Sequence, residues 1–385
     1  MIKRAILHIG GEKTGSTTLQ RFLTRNAALL KQAGFFYPCA SNDICFEHDA
    51  HFPVAGALID GEVEFVSAKR QPMLPSVLAH LAQSARAANG NLILSCEHFS
   101  SRITRLQQLQ KLRDALPTDD IKIVFYAREP SELALASWSE SIRNGSHHRF
   151  SADQILPQAR FFNHLQTLDL WAEAFGRSNL IVREYDRTQM ADGDIRRDFC
   201  EQLGVEITDP LLDDDRNISL DLQRLEVLRH LNEALPKFSE CADGWRRAQC
   251  IRVLVTEFIP EGEPLGRLLS KHESNAIKAR FSEVTQELNR RYFDGRLSRK
   301  WFPQDNPADP EPNSVTALQE AEVIQALVAT ITRMAERTSE DGTSHAVGGA
   351  RAYRKRRLRN TRRKLKQALQ VTKQRLLAPF EARGA

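Results

Sequence analysis

The chain has 385 residues, 41% of them hydrophobic, and carries 54 Lys plus Arg against 49 Asp plus Glu, a net charge of +5. That composition agrees with a soluble globular chain, with room for one large domain or two smaller ones. No run of eighteen apolar residues occurs, which excludes a membrane-spanning helix, and the six cysteines (39, 45, 96, 200, 241 and 250) lack C-x-x-C spacing, as free thiols of a reducing compartment do.

Met1 to Arg4 run straight into a first strand, with no secretory signal expected ahead of it. Ala5 to Ile9 read as a buried strand that enters a tight Gly-rich loop, Gly10 to Ser16. An amphipathic run follows, with Leu19, Phe22 and Leu23 on one face and Leu29 and Leu30 further along. Strand, Gly-rich loop and helix make an anion site: glycine lets the backbone curl, N–H groups point inward, and the helix N-terminus adds positive potential. Lys13 sits inside the loop, and Ser16, Thr17 and Thr18 open the helix as hydroxyl donors. The whole reads as a phosphate or sulfate grip. The triphosphate loop G-x-x-x-x-G-K-[ST] is absent, because Lys13 comes two residues before Gly15 and Ser16 follows that glycine.

Glu47-His48-Asp49-Ala50-His51 offers two histidines three apart, a weak metal signature. No metal is expected there. A solvated loop, or acceptor contact by His48 or His51, stay open. Asn91 to Ser95 read as the next strand, followed by Cys96-Glu97-His98-Phe99-Ser100-Ser101. Ile121 to Ala127 is another, β-branched and aromatic. It ends in Arg128-Glu129-Pro130, and Pro130 suits the first turn of a helix through Ile142. A kinase or GTPase needs a metal-binding Asp at the end of a neighbouring strand, whereas these strands end in Ser95 and Arg128. His147 and His148 follow an Asn144-Gly145 turn and read as the earlier histidines do. Helical patterns near 158–176 and 193–204 flank a strand at 179–185. Beyond residue 218 the pattern is helical: Leu220 to Leu235, Trp245 to Phe258 and Leu265 to Tyr292. Strands alternating with helices imply a parallel sheet with ligands at its carboxyl ends, which puts Lys13, Glu97 and Arg128 on one edge.

Phe302 to Asn313 form a Pro-rich spacer, a helix is expected from Val315 to Arg337, and 338–350 is a small-residue linker. Residues 351–385 carry thirteen Lys plus Arg and one Glu, a net +12, so the rest of the chain is −7. Leu358, Leu365, Leu369 and Leu376 make a narrow apolar stripe on this basic helix. An anionic membrane surface is one partner for it. An anionic polysaccharide or nucleic acid, or plain solvent, are the others. The domains expected are 1–304, a linker with a helix at 305–350, and the basic tail 351–385.

The order Lys13-Thr-Gly-Ser-Thr-Thr18 resembles the 5′-phosphosulfate loop of sulfotransferases that use 3′-phosphoadenosine 5′-phosphosulfate (PAPS), whose form is close to Lys-[Thr/Ser]-Gly-Thr-Thr. The strand ending in Arg128-Glu129-Pro130 resembles the 3′-phosphate segment of the same family. The resemblance covers residues 1 to about 304, with its specific motifs confined to these blocks and the base between them. It implies a P-loop-type sulfotransferase fold, an α/β parallel central sheet flanked by helices with a helical second half. It also implies roles. Gly11, Lys13, Thr14, Gly15, Ser16, Thr17 and Thr18 would cradle the donor, with Thr17 and Thr18 on its 5′-phosphate and Lys13 on the leaving oxygen. Arg128 would hold the 3′-phosphate. The family's serine lies eight residues after that arginine, where this chain has Ala136. Ser137 follows, turned by about 100° on a helix, and is a weaker ligand. The base is His in some branches and Glu in others, just past the middle strand. Glu97 is the first candidate and His98 the second, while a capping role for Glu97 or Ser100 stays open. Sulfuryl transfer requires no divalent metal in principle. No Arg-Lys-Gly segment of the kind that covers the 3′-phosphate is evident near the C-terminus. The family's habits point to a carbohydrate or glycolipid acceptor, with no specific nucleic-acid partner. A bacterial, cytoplasmic protein is expected, peripheral to the inner membrane if the tail binds there. Two other classes stay in view: a P-loop small-molecule kinase, and a non-catalytic anchoring or nucleic-acid-binding protein acting through its tail.

Overall fold

The structure is a computed structural model that describes residues 2–205, 220–234, 255–256, 259, 262 and 264–304. The spacer beyond Gln304, the helix expected after it, the basic tail and most of the helical pattern at 245–258 lie outside the described residues.

Five strands form one wholly parallel sheet: β1 (Ile2–Gly10), β2 (Phe35–Phe36), β3 (Gly90–Ser95), β4 (Ile121–Ala127) and β5 (Leu180–Glu184), in the order β2-β3-β1-β4-β5. β1 is central, with Leu7 beside Leu94 on one side and Ile123 on the other. Alternate residues serve opposite faces, since strand side chains repeat every two positions. Ala5, Leu7 and Ile9 join Leu92, Leu94, Ile123 and Phe125 in one core. Ile6, Ile93, Val124 and Tyr126 enter the other. The first face is covered by α3 (Phe52–Gly56), α4 (Leu74–Ala87), α5 (His98–Arg102), α6 (Leu106–Asp114) and α8 (His164–Phe175) through Val54, Val77, Phe99, Leu109 and Trp171. The second is covered by α1 (Ser16–Arg25) and α9 (Ile195–Leu203) through Leu19, Phe22, Leu23, Ile195 and Phe199. Burying each such side chain stabilises the fold by about 1.5–3 kcal/mol before entropy is counted. The fold class expected from the sequence, a parallel central sheet flanked by helices, is therefore the one observed.

The chain leaves β1 toward β2 and β3 and leaves β4 toward β5. The connections therefore diverge between β1 and β4, and the carboxyl ends of strands at such a switch point are where open α/β sheets take ligands.

The amphipathic run after the first loop is two helices rather than one. Asn26 leaves helical geometry (φ −101°, ψ 14°) and its Nδ2 donates back to the Phe22 carbonyl at 2.9 Å. α2 (Ala27–Gln32) then starts afresh, so Leu30 is buried and Leu29 exposed.

The described residues divide into two compact units. The first holds the sheet and, from the C-terminal half, α11 (Lys271–Arg280) and α12 (Ser282–Tyr292). The second holds Ser137–Phe150 and the described part of 219–270. Its core joins Trp138 and Ile142 of α7 (Pro130–Arg143) to Leu225 and Leu228 of α10 (Leu222–Ala234). Within it the carbonyls of His147 and His148 accept from Arg229 Nη1 (3.3 Å) and Trp138 Nε1 (2.9 Å).

Candidate functional site

The loop after β1 curls through three left-handed residues, Gly10 (φ 74°), Lys13 (φ 61°) and Gly15 (φ 78°). At Gly10 the approach is also close, since a Cβ there would lie 2.9 Å from Glu97 Cβ. At Gly15, the residue that starts α1, a side chain would be strained by the positive φ and would meet the Tyr185 hydroxyl at 3.2 Å. Thr14 is wholly buried and its Oγ1 donates to the Gly11 carbonyl at 2.6 Å. Its hydroxyl therefore closes the turn.

α1 begins with no side-chain cap and no acidic residue in its first turn. The first intrahelical bond runs from Leu19 N–H to the Gly15 carbonyl at 3.1 Å. The N–H groups of Ser16, Thr17 and Thr18 are the orphan donors of a helix start, carrying roughly half a positive charge between them. Ser16 is buried, Thr18 half-buried and Thr17 exposed. Lys13, half-buried, stands one residue ahead of Thr14.

Arg128 meets this loop from the next strand. Its Nη1 donates to the Lys13 carbonyl at 2.6 Å, and its guanidinium lies 5.3 Å from the centre of the Tyr185 ring. Its own carbonyl accepts from His164 Nε2 at 2.7 Å. Burial pushes the His164 imidazole down to about 4, so the ring is neutral and this bond fixes the proton on Nε2. Arg128 Nε faces Glu132 Oε2 at 3.7 Å. Lys300 offsets that carboxylate at 3.3 Å and reaches Asp186 at 2.9 Å. Glu184, at the end of β5, accepts from Ser298 Oγ (2.5 Å) and Trp301 Nε1 (2.8 Å). Arg299-Lys300-Trp301 thus brings a cation beside Glu132, itself a partner of Arg128. No spacing rule singled it out, although the Arg-Lys pair followed by Trp was there to be read.

Glu129, next to Arg128, is 2% exposed and serves as the cap of α7. Its carboxylate accepts from the N–H groups of Ser131 and Glu132, both at 3.0 Å, and from Ser131 Oγ. Burial raises its carboxyl above the ordinary value and these hydrogen bonds only partly offset that.

Glu97 stands at the start of α5 without capping it, because no side-chain cap bond forms there. Its Oε2 instead accepts from Gln20 Nε2 at 2.8 Å. Gln20 is buried on α1, so the helix that follows the Gly-rich loop also orients the candidate base. Ser100 Oγ donates to the Glu97 carbonyl at 2.8 Å. His98 lies with its ring 5.1 Å from Phe52 and 4.3 Å from Phe65, and its Nδ1 is 3.7 Å from Glu12 Oε1. Burial raises the Glu12 carboxyl, but contacts with His98 and Ser101 and the charge of Lys13 outweigh it and hold it below its ordinary value. The structure thus brings Gly11, Lys13, Thr14, Gly15, Ser16, Glu97 and Arg128 together at one end of the sheet. Gln20 and Glu12 belong with them and had no signature in the spacing. Ser137 is half-buried on α7 and falls in the second unit, whereas Arg128 belongs to the first.

His51 is no acceptor contact. It is wholly buried, its Nδ1 accepts from Ser95 N–H at 3.1 Å, and its Nε2 faces the Pro38 carbonyl at 3.1 Å. Burial lowers it to about 4. It staples the loop before it to the carboxyl end of β3. His48 is exposed, in a left-handed turn (φ 52°).

No family model matches the chain. An uncharacterized protein of Archaeoglobus fulgidus is 25% identical over 206 residues, which are 52% of this chain and 54% of that one. The chain therefore spans about half the length of the curated relative it matches. Among solved structures, the sulfotransferase from Alicyclobacillus acidocaldarius is similar at 14% identity and a TM-score of 0.33, over 64% of this chain and 95% of that one. The sulfotransferase domain of the Synechococcus PCC 7002 olefin synthase is similar at 16% identity and a TM-score of 0.33, over 67% and 94%. The sulfotransferase domain from the curacin biosynthetic pathway follows at 12% and 0.28, over 56% and 78%.

Proposed function

We propose that this chain is a sulfotransferase that carries a sulfuryl group from PAPS to a hydroxyl, or an amine, of a saccharide or glycolipid acceptor. The observation that carries the proposal is the 2.6 Å bond from Arg128 to the Lys13 carbonyl. It ties a loop-and-helix anion grip to a strand-end cation at the carboxyl end of the sheet, the arrangement a donor with two separate phosphate positions needs. The motif resemblance supplies the donor's identity and the family's habits supply the acceptor class.

In this mechanism the acceptor O–H gives its proton to the Glu97 carboxylate, which Gln20 holds in place. The acceptor oxygen attacks sulfur in line, the bond from sulfur to the bridging oxygen breaks, and the electron pair leaves on the 5′-phosphate. Lys13 and the first N–H groups of α1 stabilise that developing charge without reorganising. Arg128 anchors the other phosphate, and with it the donor's register. Thr17 and Thr18 stand on the turn where the 5′-phosphate would sit. Residues 351–385 would hold the enzyme on an anionic membrane surface of the cytoplasm, close to a lipid-linked acceptor.

Calorimetry with 3′-phosphoadenosine 5′-phosphate, beside Mg-ATP, tests the donor class. The bisphosphate should bind without metal, and binding should weaken by at least tenfold in both Lys13→Ala and Arg128→Ala. Preference for Mg-ATP, or no bisphosphate binding, would return the loop to an unassigned anion site.

A further inference from the structure

Asp43, Cys45 and His80 come together on the first unit, and none of them belongs to the site already described. One ligand atom from each, Asp43 carboxylate oxygen, Cys45 Sγ and His80 imidazole nitrogen, lies within 4.8 Å of the other two. His80 Nε2 stands 3.4 Å from Asp43 Oδ1. That is about the edge of a tetrahedron whose metal–nitrogen and metal–oxygen bonds are near 2.0–2.2 Å. The trio joins a loop to a helix: Asp43 and Cys45 precede the His51 staple, and His80 lies on α4. Among the described residues this is the group in which three metal-binding donors of different chemistry converge. None of the pairs has the spacing of a zinc motif, so it was invisible in the sequence. The earlier suspect, Glu47 to His51, gathers no such trio among the described residues.

We infer that Asp43, Cys45 and His80 form a site for a divalent transition ion of the zinc class, with water completing a tetrahedron. The donor set is one thiolate, one imidazole and one carboxylate, the borderline-soft mixture that such ions take over magnesium or calcium. Two anionic ligands and a neutral imidazole balance the ion's charge, so its burial leaves no net charge behind. Supporting contacts are in place. The Cys45 N–H donates to Asp43 Oδ1 at 2.8 Å, which turns the carboxylate toward the thiol. Cys45 Sγ lies 3.6 Å from the Val77 carbonyl, one turn before His80, so the thiol already faces the histidine's helix. Arg70 is buried nearby and donates to the Ser41 carbonyl at 3.1 Å. Burial and then the Asp43 carboxylate push the Cys45 thiol up, and the Arg70 charge only partly offsets this, so the ion itself has to displace the proton. Entry is from the side of His80 and Asp43, which are partly exposed while Cys45 is buried. Binding breaks the S–H bond of Cys45, forms a metal–sulfur bond, and passes one proton to the solvent. The site would pin the loop that His51 joins to β3, just ahead of Glu97.

The test uses full-length protein stripped with a chelator and titrated with cobalt(II), then zinc(II). One cobalt ion per chain should bind with a sulfur-to-cobalt charge-transfer band, and zinc should displace it. Cys45→Ser should lose the band. His80→Ala changes a partly exposed residue, so it should fold and bind cobalt at least tenfold more weakly. Cys39→Ser should keep the band. Zinc should raise the melting temperature of the parent protein and not that of Cys45→Ser. No charge-transfer band on the parent, a band that survives Cys45→Ser, or one lost in Cys39→Ser would overturn the assignment.

Discussion

Glu97 and Gln20 are the pair through which chemistry at this site is most directly tested. If Glu97 takes the acceptor proton, Glu97→Gln should keep bisphosphate affinity within about twofold and lower kcat by roughly 10²–10⁴-fold, the usual worth of a general base. Gln20→Ala removes one hydrogen bond to that base, so kcat should fall on the order of tenfold with donor affinity intact. Equal loss of affinity in either variant, read by calorimetry beside initial rates, would assign these residues to the donor instead. Gly15→Ala should weaken bisphosphate binding and lower stability by about 1–2 kcal/mol, because alanine is disfavoured at its positive φ and crowded by Tyr185. A urea melt reads the second effect. Lys13 and Gly15 stand in the Gly-rich turn that their short spacing predicted, and Arg128 follows the strand predicted to carry it. Gln20 and Glu12 were not legible in the sequence. Each acts through a partner more than 70 residues away, Glu97 and His98, and the spacing of such pairs is set by the sheet.

Among elements, α7 turns on its cap. Glu129 was read only as part of the Arg-Glu-Pro run, yet it closes the start of that helix with its own carboxylate. Its carboxyl is raised above the ordinary value by burial. The unfolded chain therefore gives up this proton at lower pH than the folded one. The stability tied to the protonated group is fully present below the ordinary glutamate range and is lost as pH rises through the folded value. Urea melts across that window should show the loss in the parent and a flatter profile in Glu129→Gln. Glu129→Ala should cost about 1–3 kcal/mol at any pH, because buried N–H groups would lose their partner. The strands β1, β3, β4 and β5 were legible as apolar β-branched runs, though β1 extends further at both ends than its apolar stretch. β2 is two residues long, too short for any period to show. The break between α1 and α2 depends on a side-chain bond from Asn26 that periodicity does not register.

At the scale of the whole molecule, the charge is divided. Residues 351–385 hold a net +12 and the remainder −7. If the tail seats on anionic lipid, the full chain should co-sediment with phosphatidylglycerol vesicles at low salt and release as salt rises, each Lys or Arg near the surface adding about 1 kcal/mol. A chain lacking 351–385 should stay in solution and bind the bisphosphate unchanged. Vesicle binding that survives the deletion would move the contact to residues 1–350. The parallel architecture was readable from alternation of strands and helices. Its division into two compact units was not, because nothing in the sequence at Ala136 and Ser137, inside the expected helix, marks a boundary.

The hydrogen bond between Arg128 and the backbone of Lys13 joins segments 115 residues apart, and it makes the two cations thermodynamically one object. Removing the arginine also loosens the turn that presents the lysine. In a double-mutant cycle on bisphosphate affinity, Lys13→Ala and Arg128→Ala should therefore fail to add, with a coupling energy of about 0.5–3 kcal/mol.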